Sequence, residues 1–450
     1  MDRETTQSLN GGVAAEGRPL PPAPSRPAAP ERKITRRQVL KYGLGAAMGI
    51  GIGGGLLWRL SRGPEPTPSE AAGVFKQDAP SQKLWDLWLK RGWVKEARHY
   101  LKLGRNVQCR LCPNHCLLED GDRSHCRNKI NRGGTLYTLA YADPCALHVD
   151  PIEKKPLFHF LPGSRSFSLA TAGCVFRCLN CQNWDISQRK PEETKDATGE
   201  ELRLTATAPS IGAGNMGRLS LFPDDVAALA AAASCASIAY TYSEPVAYYE
   251  YAQDTCKAAR QKKIRNVLVT CGYIEEQPLR DLAQYVDGAH VDLKGFDEAT
   301  YRQLNTGSLQ PVLNTLKTLK SMGVWVEVVN LVVPTYTDKI ETIKRMCSWL
   351  LENLGPDAPL HFSRFMPMHK LTYLPPTPVD ILLLARQEAM AAGLRYVYVG
   401  NVPGQAEVEN TFCPNCRKAV LERNIFSVTG ANLDAGKCKF CRTAIAGVWE

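Results

Sequence analysis

Residues 166–188 read SFSLATAGCVFRCLNCQNWDISQ. The run 166–173 is apolar and β-rich, ends on Gly173, and passes straight into Cys174, Cys178 and Cys181, with no fourth cysteine nearby. Thiolates this close together on one loop can reach a common metal centre. A cubane iron–sulfur cluster takes four ligands, so the spacing leaves one position for something other than protein. A strand with its chemistry at its C-terminal end also speaks to architecture, because parallel α/β folds build their active sites there.

The same unit repeats outward from this stretch. β-rich runs recur at 236–242, 265–272, 288–294, 324–334, 359–365 and 395–400, with helical segments at 245–263, 275–286, 339–354 and 378–393 between them. Repeated βα units imply an α/β fold with a covered parallel sheet. Polar residues gather at the strand ends: Ser243 and Glu244, Thr270 and Gly272, Asp292 and Lys294, and 366-MPMH-369. Any one of them alone reads as a solvated loop residue. Their recurrence beside three thiolates favours a full or partial (β/α) barrel of TIM type over an open doubly wound sheet, since the mouth of a barrel collects residues from many strands.

The chain holds sixteen cysteines, eleven of them in three sets. Cys109, Cys112, Cys116 and Cys126 offer four thiolates that suit tetrahedral zinc or a cubane cluster, and spacing does not choose between them. His115 and His125 beside them read as surface residues. Cys413, Cys416, Cys438 and Cys441 form C-x2-C-x21-C-x2-C, a zinc-ribbon pattern, with rubredoxin-like iron as the alternative. Some 40 residues bury too little surface to fold securely alone, whereas structural zinc contributes about 10–16 kcal/mol at neutral pH. Cys145, Cys235, Cys256, Cys271 and Cys347 are isolated and read as small buried residues.

Composition is that of a globular chain, 44% hydrophobic and 22% charged over 450 residues. Of the net charge of +10, residues 1–62 carry +6 and the remaining 388 only +4, which is no nucleic-acid signature. Arg36 and Arg37 head a Gly-rich, weakly apolar run, the order of a twin-arginine export signal, which predicts a membrane-associated or exported protein, cytoplasmic if the signal is unused. The apolar part, Gly43 to Trp58, is 16 residues. It would make about 24 Å of helix against a hydrocarbon core of ~30 Å. The domain reading is a lead and signal over 1–62, a linker over 63–80, a four-cysteine metal-binding module over 81–150, the barrel over 151–404 and the zinc ribbon over 405–450. Within it, 83–103 reads as one amphipathic helix with its tryptophans toward the core, and 189–222 as a loose surface insertion.

The C-x3-C-x2-C motif after a first strand resembles that of the radical S-adenosylmethionine superfamily. That resemblance implies that Cys174, Cys178 and Cys181 ligate three irons of a [4Fe-4S] cluster, with the amino and carboxylate groups of S-adenosylmethionine on the fourth. The reduced cluster would cleave the cofactor to methionine and a 5'-deoxyadenosyl radical, while the protein binds, orients and excludes water. A low-potential electron donor is then a required partner. The order 241-TYSEP-245, 270-TCG-272, 292-DLK-294, 332-VVP-334 and 366-MPMH-369 is similar to that of activating enzymes of glycyl radical proteins. By that similarity Asp292, Lys294 and His369 would sit near the cofactor's ribose and carboxylate. Glu244 would take its amino group, with Ser243 beside it and Thr270 and Gly272 completing the set. Two positions depart from the pattern: Asn180 stands where an aromatic residue is usual, weakening the shielding of the cluster, and Tyr242-Ser243-Glu244 replaces Gly-Gly-Glu.

A closer resemblance runs through 150-DPIEKKPLFHFLPGS-164, 181-CQNWDIS-187, 240-YTYSEP-245, 396-YVYVGNVPG-404 and both flanking cysteine sets. These resemble the AmmeMemoRadiSam-system radical SAM enzymes, which implies Memo-type and AMMECR-type partner proteins. Three functions follow: a radical enzyme taking hydrogen from a small molecule or protein residue, a glycyl-radical activase, or a non-catalytic electron-transfer or metal-docking protein. The last leaves Glu244, Asp292, Lys294 and His369 without a purpose.

Overall fold

The computed structural model describes residues 73–194, 220–402 and 404–450. The twin-arginine stretch and most of the 189–222 insertion lie outside the described residues. Among the described residues no helix is long and apolar enough to cross a membrane.

Eight strands form the central sheet: β1 (Ala146–Pro151), β2 (Arg165–Ala170), β3 (Ser237–Tyr240), β4 (Arg265–Thr270), β5 (Gly288–Asp292), β6 (Trp325–Val332), β7 (Leu360–Arg364) and β8 (Val397–Gly400). They pair in sequential order, with β1 antiparallel to β2 and every later pair parallel. Between the parallel strands run α1 (Pro223–Ala232), α2 (Tyr249–Gln261), α3 (Glu276–Ala283), α4 (Leu309–Ser321), α5 (Ile340–Leu354) and α6 (Val379–Ala391). The seven parallel strands are those read from the sequence. β1 was not read, so the sheet starts ahead of residue 151.

The closed barrel is not formed. β8 has no pairing with β1, and the sheet is open. Closure needs a continuous ring of strands at a fixed stagger, whereas β1 is an antiparallel edge strand folded back by a hairpin. The sheet nevertheless curls. Laid flat, β2 to β8 would span about 29 Å, yet residues on or just after all seven of these strands line one cavity.

The C-terminal module packs against the chain at both Phe158–Phe160 and Tyr396–Tyr398. Arg423 donates from Nη2 to the Phe158 carbonyl at 2.7 Å, Val448 N donates to the His159 carbonyl at 2.7 Å, and His159 Nε2 lies 2.6 Å from the Tyr398 hydroxyl. Its four cysteine sulfurs all lie within 4.8 Å of one another, with Cys413–Cys441 at 3.5 Å and Cys416–Cys438 at 3.7 Å. Four ligands about 2.3 Å from one zinc stand at such separations.

In the N-terminal part the expected helix over 83–103 stops at Lys90. Gly92 takes a left-handed φ of 69°, a conformation that ends a helix, and the chain continues extended at 95–96 and 100–103. Trp85, Trp88 and Trp93 are buried, as the helical stripe implied. Two small antiparallel sheets follow, one of 95–96, 135–138 and 129–132, the other of 100–103, 106–109 and 117–118, and they carry the first cysteine set. His125, read as a surface residue, is 2% exposed. Burial pushes its pKa down to about 3, with Arg177 and Arg127 adding to the effect.

Candidate active site

The loop after β2 is held from two sides. Gly173 has φ 93°, and a Cβ there would lie 2.2 Å from the Cys126 carbonyl oxygen, so only glycine lets the N-terminal module's backbone lie against this loop. Opposite, Arg177 N donates to Asn305 O at 3.0 Å and Leu179 N to Leu304 O at 2.9 Å, tying the loop to a π-helical turn at Tyr301–Asn305. Such turns recur at functional sites.

Each sulfur in the loop has a hydrogen-bond partner. Phe176 N donates to Cys174 Sγ at 3.4 Å, Asn305 Nδ2 to Cys178 Sγ at 3.1 Å, and Ser187 Oγ lies 3.0 Å from Cys181 Sγ. Burial pushes all three thiols up, Cys178 to about 11 with Lys294 opposing, and Cys174 further still with Glu244 adding to the rise. Buried thiols of this kind ionise when a metal replaces the proton.

Glu244, at the end of β3, is 1% exposed yet lines the cavity. Its carboxylate accepts from Thr270 Oγ1 at 2.7 Å, Cys271 N at 2.8 Å and Val246 N at 3.2 Å. It also accepts from the Cys271 thiol, a further donor. Burial raises its pKa, and these donors hold it down against that. Across the cavity Asp292 bonds His290 Nε2 at 3.0 Å and Lys294 Nζ at 2.9 Å. Burial works against its charge, but Lys294 and His290 outweigh it and keep Asp292 well below the usual carboxylate range. Lys294 is raised in turn, Asp292 and Cys178 overcoming its burial. Ser243 donates to the Thr171 carbonyl at 2.7 Å.

One cavity of about 410 Å³ gathers Cys174, Cys178, Cys181, Ser243, Glu244, Asp292 and Lys294. Three sequence candidates lie outside its lining. Thr270 and Gly272 act behind Glu244, the first as its donor and the second donating its own N–H to Thr270 Oγ1 at 3.0 Å. His369 stacks on Trp184 with ring centroids 5.5 Å apart. Sequence reasoning missed several lining residues. Cys271, read as a small buried residue, is in the wall; so are Lys155, His290, Asn401 and Phe426. Lys155 and Asp150 lie inside a stretch already singled out by resemblance, but Phe426 sits on the turn between strands 419–424 and 427–431 of the C-terminal module, and no local pattern points it at the cavity.

Residues 168–350 match the Radical SAM superfamily. An uncharacterized protein of Methanocaldococcus jannaschii is 44% identical over 351 residues, covering 77% of this chain and 98% of that one. The chain belongs to the radical SAM superfamily. An isethionate sulfite-lyase activating enzyme of Oleidesulfovibrio alaskensis is 24% identical over 230 residues, 41% of this chain and 74% of that one. A domain of pyruvate-formate lyase-activating enzyme from Bacteroides vulgatus is similar in structure with a TM-score of 0.32 at 14% identity, covering 37% of this chain and 99% of that chain.

Superfamily membership implies a [4Fe-4S] cluster and S-adenosylmethionine, and the residues of this radical SAM site fit both. Three thiols with donors already on their sulfurs face one cavity. Asn180 Oδ1 and Asn305 Oδ1 are buried beside them with no partner, polar atoms that a bound group would satisfy. Asn180 is itself in the lining, so the residue that departs from the usual aromatic presents a polar edge to the cluster position.

Proposed function

We propose that this protein is a radical enzyme that abstracts a hydrogen atom from an organic substrate at the mouth of this cavity. The observation that carries the reading is the convergence of Cys174, Cys178 and Cys181 with Glu244, Asp292 and Lys294 in a space of about 410 Å³, ordinary for a small-molecule site. Bound there, the cluster and S-adenosylmethionine supply a 5'-deoxyadenosyl radical. Cys174, Cys178 and Cys181 would hold the cluster, and the Glu244 carboxylate, which lines the cavity, would receive the cofactor's ammonium. Asp292, held ionised by His290 and Lys294, accepts ribose hydroxyls, and Lys294 balances the carboxylate. Phe426 occupies a position from which to exclude water. The test is anaerobic reconstitution, reduction and incubation with S-adenosylmethionine, with 5'-deoxyadenosine and methionine as products. Their absence from protein of full iron content would remove the reading.

The resemblance of 150–164, 181–187 and 396–404 to AmmeMemoRadiSam-system enzymes supports Memo-type and AMMECR-type proteins as partners, tested by co-purification from the native host. The activase reading is supported by the order of the strand-end motifs and by the relative named as an activating enzyme. A glycyl radical signal in a co-encoded protein would favour it. Export or membrane association through Arg36 and Arg37 is tested by fractionation of the Arg36→Lys/Arg37→Lys variant. Unchanged distribution would remove that part.

A further inference from the structure

The first cysteine set is built against the active-site loops. Cys109, Cys112, Cys116 and Cys126 are all buried. Asn114, inside the set, donates from Nδ2 to the Val175 carbonyl at 2.9 Å, and Asn128 donates to the Ala172 carbonyl. The Cys126 carbonyl abuts Gly173, and Leu111 O accepts from Glu275 N at 3.0 Å on the loop after β4. One face of this module is therefore the back of the loop that carries Cys174.

Two cations, Arg127 buried and Arg177 half-buried, stand between the sets. Arg127 is 6% exposed, bonds Gln188 Oε1 at 3.2 Å through Nη2, and has no partner for its buried Nη1. Arg177 reaches His125 O at 3.4 Å and Gly73 O at 3.3 Å. Arg127 follows Cys126, and its partner Gln188 donates to the Phe176 carbonyl at 3.2 Å on the active-site loop, while Arg177 lies between Cys174 and Cys178 and reaches back to the residue before Cys126. Each guanidinium thus connects the two cysteine sets. A buried cation such as Arg127, with one nitrogen unpartnered, needs an anionic counterpart, and thiolate-bound clusters on either side would provide it.

Sulfur spacing separates the metals. Among the described residues the C-terminal four are the one set in which three or more ligand atoms all lie within 4.8 Å of one another. The N-terminal four are set wider, as are Cys174, Cys178 and Cys181. Thiolates sharing one zinc must be close, whereas those of a cube bind separate irons and stand farther apart.

We propose that Cys109, Cys112, Cys116 and Cys126 ligate a second iron–sulfur cluster of [4Fe-4S] type, placed to pass single electrons to the active-site cluster past Arg127 and Arg177. The electron comes from a low-potential one-electron iron–sulfur or flavin protein. The second cluster gains it and loses it again as the active-site cluster is reduced, and no bond is made or broken. The electron-transfer role rests on the proposed function; the identity of the metal does not.

The experiment compares wild type, Cys174→Ala/Cys178→Ala/Cys181→Ala and Cys112→Ala/Cys116→Ala after anaerobic reconstitution, counting iron, sulfide and zinc and recording electron paramagnetic resonance after reduction. Expected are roughly eight irons in wild type and roughly four in each variant, with about one zinc throughout. The triple variant keeps a reduced-cluster signal, and wild type relaxes faster than the sum of the two variants. If Cys112→Ala/Cys116→Ala does not fold, the wild-type count and the triple variant decide. Wild type with about four irons and two zincs, or a triple variant holding zinc and no iron, would overturn the cluster. Eight irons with a spectrum that is the plain sum of the variants would overturn the electron transfer. A triple variant that keeps its cluster while wild type yields no 5'-deoxyadenosine would sink the proposed function and leave the second cluster standing.

Discussion

Glu244→Gln tests how the cavity recognises the cofactor's ammonium. The carboxylate accepts from Thr270 Oγ1 at 2.7 Å, Cys271 N at 2.8 Å and Val246 N at 3.2 Å and is 1% exposed. A glutamine amide keeps one oxygen and turns an NH2 toward donors. Thr270 can rotate its hydroxyl to accept from that NH2, but the Val246 N–H on the same oxygen and the Cys271 N–H on the other cannot, so in either orientation the NH2 meets a backbone donor. Little of either group is then left for the ligand. Loss of one hydrogen bond between charged groups costs about 1.5–3 kcal/mol, a weakening of cofactor binding of roughly 10- to 150-fold. Isothermal titration of S-adenosylmethionine into reconstituted protein reads this directly. Thr270→Val separates support from contact: it removes one donor to Glu244 and leaves the charge, so its loss should be under tenfold. Cofactor affinity unchanged in Glu244→Gln, with iron content intact, would refute the reasoning.

Other residues give independent tests. Glu327 on β6 accepts from the N–H groups of Phe158 at 2.9 Å and His159 at 2.7 Å, from Trp325 Nε1 at 3.0 Å and from His361 Nε2 at 2.8 Å. Burial opposes its charge, but His361 and His159 hold its pKa down to about 2 from an ordinary 4.5. Its contribution is therefore present above pH 4.5 and lost as pH falls toward 2, amounting to roughly 3 kcal/mol; denaturant melts of Glu327→Gln should lose that acid dependence, and an unchanged pH profile counts against it. Phe426→Ala should raise the cofactor off-rate about fivefold for ~1 kcal/mol of lost apolar cover, with thermal stability nearly constant. An off-rate equal to wild type by stopped flow would take Phe426 out of the site. Cys413→Ser/Cys438→Ser should lower zinc content by about one per chain and expose Phe158 and Tyr398, which pack on that module. Full zinc retention would mean that the metal sits elsewhere.

The parallel strands were legible because each is a short β-rich run ended by a polar or glycine residue, and the cysteine loop because three thiolates in eight residues have few other uses. β1 was missed because 146-ALHVDP-151 carries His148, Asp150 and Pro151 within six residues and edge strands carry a weak alternation. The helix read over 83–103 failed beyond Gly92, where apolar residues continue at helical spacing but the left-handed turn changes the chain's direction. Barrel closure could not be read, since it depends on how the two edge strands meet. Within the site, Glu244, Asp292 and Lys294 were visible at strand ends. Phe426 and Cys271 were not, because Phe426 reaches the cavity through tertiary packing and a lone cysteine such as Cys271 has the same sequence signature as any small core residue. His369 was placed by resemblance near the cofactor, and its ring stacks on Trp184.

The central claim is that Cys174, Cys178 and Cys181 leave one iron of their cluster for S-adenosylmethionine. Electron–nuclear double resonance on reduced Cys112→Ala/Cys116→Ala protein, given S-adenosylmethionine labelled with 15N at its amino group, measures that bond. The account predicts a resolved coupling between the label and the cluster spin. A saturated complex with no such coupling would contradict it.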